Sequence, residues 1–82
     1  MQLDTWAPVR GGSLFGGWCR VEADADSDGF CVIVRARPEA QAELWMSDWH
    51  PDFEALHMAM RDYDWQVDWE RAQPDDNKPP AR

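Results

Sequence analysis

The ten residues GFCVIVRARP, positions 29–38, constrain this chain more than any other stretch. Phe30, Val32, Val34 and Ala36 alternate with Cys31, Ile33, Arg35 and Arg37, and the run Val32, Ile33, Val34 favours extended backbone. A strand with one apolar face is not stable alone; it needs neighbouring strands and a cover. The preceding LFGGWCRVEA supplies a neighbour. Phe15, Cys19, Val21 and Ala23 share one of its faces and Trp18, Arg20 and Glu22 the other, with Gly16 and Gly17 predicting a bulge or a bent start. Between the two runs, DADSDG predicts a hairpin turn.

Further along, AELWMSD predicts a third strand over 42–47 with Leu44 and Met46 on one face and Trp45 on the other. Its good helix formers also allow it to begin a helix. The break at HPD is sharper. Pro51 suits a first helical position, Asp52 and Glu54 suit a first turn, and Phe53, Leu56 and Met60 recur as a stripe, so the helix is expected over 51–62. WQVDW then alternates strictly, setting Trp65, Val67 and Trp69 against Gln66, Asp68 and Glu70. The order β-β-β-α-β predicts an α+β fold: a small antiparallel sheet of three to four strands packed against one short helix. Residues 1–13, with Pro8, Gly11 and Gly12, read as an irregular arm on which Leu3 and Trp6 can pack. Residues 14–72 read as the single domain, and 73–82, with three prolines, as a flexible tail.

DADSDG also matches the first half of an EF-hand calcium loop, glycine included. Counted from Asp24, however, the twelfth position is Arg35, where that loop requires a bidentate glutamate, and the flanks read as strands. The stretch is therefore a turn whose acids, Asp24, Asp26 and Asp28, repel one another and face solvent. They form a secondary acidic loop.

Other chemistry is equally sparse. His50 and His57 stand seven residues apart, in neither of the helical zinc spacings, and no pair of cysteines is close enough for a ribbon. Ser13, Ser27 and Ser47 lack the surroundings of an activated nucleophile, and GGSLFGG lacks the spacing and the lysine of a phosphate loop. Cys19 and Cys31 read as buried thiols in strands, with a hairpin disulfide as the alternative. The expectation is a non-enzyme with no metal and no cofactor. With no leader-like segment and no run of membrane-spanning length, the expected setting is reducing and cytoplasmic.

Charge carries what remains. Sixteen acids oppose eight bases for a formal −8 over 82 residues, which disfavours nucleic acid and membrane surfaces as direct partners and favours basic ones. From Glu43 to Glu70 eight acids face one base, Arg61. Trp45, Trp49, Tyr63, Trp65 and Trp69 are interleaved with them, and so small a core does not easily bury six tryptophans. The expected partner face is Trp45, Asp48, Trp49, Asp52, Glu54, Asp62, Asp64, Asp68 and Glu70.

In size, acidity and aromatic content the whole chain resembles the small acidic inhibitors of phages and mobile elements, the anti-CRISPR and anti-restriction proteins. That resemblance implies a non-catalytic protein that occupies the basic nucleic-acid-binding surface of an effector by imitating DNA or RNA. Two other readings are an interaction or adaptor module without mimicry, and an immunity or antitoxin protein against a basic nuclease.

Overall fold

The structure, a computed structural model, describes residues 1–74. Its elements run β1 (Thr5–Arg10), β2 (Trp18–Ala23), β3 (Phe30–Arg35), β4 (Leu44–His50), α1 (Phe53–Asp62), β5 (Gln66–Val67), a 3₁₀ turn (Trp69–Arg71) and β6 (Gln73–Pro74). All strand pairs are antiparallel, in the order β4-β3-β2-β1-β5, with β6 also on β1. The fold is thus α+β, mostly sheet, with one α-helix among the described residues.

The hairpin forms where the alternation predicts it. β2 and β3 pair from Trp18↔Arg35 to Ala23↔Phe30, and Asp24 N–H donates to the Gly29 carbonyl at 2.8 Å across the turn. That bond sets the phase of the neighbouring ladder. Antiparallel partners alternate between bonded and non-bonded pairs, so the odd residues of β3 bond β2 and the even ones bond β4. The Ala36 N–H to Glu43 carbonyl bond at 2.9 Å agrees. On β4, Met46, Asp48 and His50 consequently bond inward, while Ser47 and Trp49 turn their N–H and C=O groups away from the sheet.

Residues 5–10, expected as part of an irregular arm, are instead a strand with neighbours on both sides. Trp6, Ala7 and Val9 are buried there. Pro8 hid this strand, because proline interrupts most interior ladders. Here its missing N–H costs the β1–β2 ladder nothing. Val9 N–H bonds the Gly17 carbonyl, so Pro8 points to the other side, where its carbonyl accepts from Asp68 N–H at 2.9 Å beside the 3₁₀ turn.

Strand number and order therefore exceed the expected three to four. WQVDW is not one strand: two residues pair with β1 at Val9↔Val67 and Arg10↔Gln66, and Trp69 enters the 3₁₀ turn. Gln73 and Pro74, expected in the tail, pair with Trp6 and Thr5. The rest of the expected tail, 75–82, lies outside the described residues.

The core lies between one sheet face and α1. Val9, Cys19, Val21, Val32 and Val34 meet Leu56 and Trp65, with Met46, Met60, Tyr63 and Val67 packed around them. Full burial of Leu56 contributes about 2–3 kcal/mol. The helix begins at Phe53, not Pro51, because Asp52 is the cap: its Oδ1 accepts from Ala55 N–H at 2.8 Å. Of the expected stripe, Leu56 is buried and Met60 half-buried. Phe53 is 58% exposed and meets the sheet edge-on at Phe30, with centroids 6.1 Å apart. Its place in the first turn carries it past the rim of the core.

Cys19 faces this core and Cys31 the opposite sheet face, as their partners Val34 and Glu22 show; both thiols are free. Burial pushes the Cys19 thiol up to about 12. On the opposite face Arg20 lies 5.6 Å from the Trp6 ring and pairs with Glu22 at 2.7 Å and Asp4 at 3.6 Å.

Candidate functional site: the hairpin pole and the outer strand

β4 forms an edge of the sheet, and five of its seven residues are exposed. A bulge opposite Val34/Arg35 pairs Leu44 with Arg35 and leaves Trp45 over. Trp45 is thereby re-aimed onto the helix side, with its ring against Gly17: a Cβ there would stand 2.9 Å from the ring and 2.8 Å from Val34 Cγ1. Trp49, without a bulge, keeps to the opposite face beside Cys31. The two tryptophans expected to border one patch therefore lie on different faces. They are 40% and 52% exposed.

Trp49 instead belongs with the aspartate hairpin. Its indole N–H donates to Asp24 Oδ2 at 3.2 Å, and its ring lies so close over Gly29 that an added Cβ would sit 2.6 Å from Nε1. The turn is organised around Asp24. Oδ1 accepts from Asp26 N–H at 2.9 Å, and Oδ2 accepts from the Ser27 hydroxyl at 2.9 Å. These bonds, the one from Asp26 N–H foremost, hold the Asp24 carboxyl below the usual aspartate range. Asp26 and Asp28 are exposed.

The contact of Phe30 with Phe53 sets the start of α1 beside this hairpin, and with it Asp52 and Glu54. Asp24, Asp26, Asp28, Asp52, Glu54 and Trp49 therefore share one end of the molecule. Neither 24–29 nor 49–54 contains a lysine or arginine. Arg10, Arg35 and Arg37 follow from strand ends at the opposite pole, and Arg61 lies in the last turn of α1.

The remaining expected acids are elsewhere and mostly occupied. Asp64, at the far end, accepts from Ser13 N–H at 3.0 Å and from its hydroxyl at 2.8 Å. Asp62 ends the helix at that same end. Asp68, its side chain 15% exposed, pairs with Arg71 at 3.5 Å on the β1 side of the sheet, where Glu70 also stands.

Asp48 is held by a group the sequence did not signal. The Tyr63 hydroxyl donates to its Oδ2 at 2.7 Å, and His50 Nε2 lies 3.3 Å from that oxygen and 3.2 Å from the hydroxyl. Burial, then the Asp48 carboxylate, raises the Tyr63 phenol well above its ordinary range. The three side chains tie β4 to the segment after α1. Tyr63 also stacks on Trp65 at 4.6 Å, an orientation that only the completed fold supplies.

The described residues hold no group of three or more histidine, cysteine or acidic side chains placed to bind a metal ion. His57 stacks on Phe53, 6.2 Å away, at the wall of a cavity of about 350 Å³ shared with Met1, Met60, Arg61 and Trp69. Among the described residues no helix is long and apolar enough to cross a membrane. No family model matches the sequence, and comparison with curated proteins and with solved structures found no match.

Proposed function

We propose that the chain is a non-catalytic acidic inhibitor whose hairpin pole docks on the basic nucleic-acid-binding surface of an effector. The class of effector implied by the resemblance is a CRISPR or restriction complex. One observation carries the reading: Asp24, Asp26, Asp28, Asp52 and Glu54 converge with Trp49 on an end without lysine or arginine in either contributing segment. A uniformly acidic surface would serve solubility alone. A pole of one sign with an exposed aromatic beside it supplies steering, orientation and an anchor.

In this mechanism the carboxylates stand in for backbone phosphates, and occupancy alone blocks the effector. Association is fast at low salt and falls as salt rises, and DNA competes for the same groove. Relative to the expected face, the working set shifts to the hairpin, Trp49, Asp52 and Glu54. Asp64 and Asp68 serve the fold.

The test compares two charge reversals against an effector captured with the protein. Asp26→Lys, Asp28→Lys and Glu54→Lys together should slow association roughly 10- to 100-fold. The control, Asp62→Lys with Glu70→Lys, should leave it within about threefold. Equal losses in both, or binding that ignores salt and DNA, would overturn mimicry and favour an adaptor interface.

A further inference from the structure

β4 presents its outer edge without the usual guards. It contains no proline, lysine or arginine, and its single acid, Asp48, is engaged by Tyr63 and His50. Ser47 and Trp49 turn two N–H and two C=O groups outward, as the ladder phase requires. Beside these groups stand Leu44, 49% exposed, and Trp49, 52% exposed, both on the face away from the helix. At its His50 end the edge runs directly into the acid pole, through Trp49 to Asp24 and through Asp52.

We infer that β4 is a docking edge that takes one extended basic segment of a partner protein as a seventh strand. The partner strand exchanges backbone bonds with Ser47 and Trp49, lays an apolar side chain beside Trp49, and directs the lysine or arginine of its other face toward Asp52 and Glu54 at the acid pole. Charge selects this occupant over a second copy of the chain, since a copy would bring another −8 against the same pole. The inference rests on the acidic-pole reading for the partner's sign alone; the strand geometry is independent of it.

The test titrates the ¹⁵N-labelled protein with an acetylated, amidated octapeptide alternating lysine with valine, and with its glutamate–valine counterpart. Ser47→Pro is the informative variant, because it deletes an outward N–H and no bond of the β3–β4 ladder. The lysine peptide is expected to shift the amides of 44–50 and to slow exchange at Ser47 and Trp49 by at least about tenfold. Ser47→Pro should weaken it by about tenfold or more, the loss of roughly one backbone bond. The glutamate peptide should not bind.

Failure of the lysine peptide to bind, unslowed Ser47 exchange in its complex, or equal binding by Ser47→Pro overturns strand addition. Equal binding of the glutamate peptide overturns the basic partner, and concentration-dependent pairing through β4 without peptide makes a second copy the occupant. Ser47→Pro leaves every carboxylate of the pole in place. Loss of peptide binding in Ser47→Pro with an unchanged response to pole charge reversal therefore separates this inference from the proposed function.

Discussion

The two sides of the sheet are finished in opposite ways. Beyond β1, residues 66–74 return twice to the strand, through Val67↔Val9 and Gln73↔Trp6, with a 3₁₀ turn between them. Proline, arginine and a short, broken partner guard that side. Beyond β4, none of the described residues continues the ladder, and the outward residues are a serine and a tryptophan. Both sides belong to one small sheet and face the same solvent. The difference shows that this chain closes an edge when it has apolar anchors to do so, as with Trp65 and Val67, and that β4 was left without such a cover.

The strongest way to break the contrast is to remove the anchor of the closed side. Trp65 is 4% exposed, within the core cluster and stacked on Tyr63. Trp65→Ala should cost about 3–5 kcal/mol in chemical denaturation and speed amide exchange along β1. Loss of stability with β1 exchange unchanged would show that β5 and β6 hold without it. A smaller loss is expected at the tie between β4 and the closing segment. Tyr63→Phe deletes the hydroxyl on Asp48 and should cost about 1–2 kcal/mol by the same measurement. At the open edge itself, Ser47→Lys should change stability by less than about 0.5 kcal/mol. A loss like that of Tyr63→Phe would mean that the edge is already in use within the molecule.

Acid and alkali probe the two regions separately. The Asp24 carboxyl titrates lower folded than unfolded, so its bonds stabilise the hairpin at neutral pH. That contribution is lost as pH falls below the ordinary aspartate range and through the depressed folded value. Trp49 fluorescence should report the loosening, and Asp24→Asn should move or abolish that step. The Cys19 thiol and Tyr63 phenol are shifted the other way by burial. Their contribution is complete below the unfolded values and declines as pH rises above about 9–10, where the unfolded chain ionises first. Thermal melts should therefore fall with alkali, and less so in Cys19→Ala relative to its own neutral value.

How much of this was legible follows from where the sequence speaks locally. β2, β3 and their turn are readable because alternation, β-branching and DADSDG agree over one continuous stretch. α1 is readable from Asp52, Glu54 and the spacing of its apolar residues. β1 was not, since Pro8 and the glycines after it resemble a loop until the partner strand explains the missing N–H. β5 and β6 are too short to show a period.

The acids illustrate a different limit. Asp48 to Glu70 is one run in sequence, but the helix carries it from the hairpin end to the far end, and the closing segment carries it round to the β1 side. Convergence of Asp24 with Trp49 depends on the β3–β4 register, and the bulge that separates Trp45 from Trp49 leaves no mark in LWMSDWH. Proximity here is a property of pairing, not of spacing along the chain.

The interior position of β1, between β2 and the closing segment, also sets the order in which the molecule can be made. β2, its first partner, follows within a few residues, but the second lies almost sixty residues later, between Gln66 and Pro74. During synthesis β1, β2 and β3 can assemble early, with one flank of β1 bare until Val67 and Gln73 leave the ribosome. The long loop closed by that last step slows folding, and the late pairing acts as a latch. A chain stalled before it would carry two bare flanks, the open one of β4 and the unlatched one of β1.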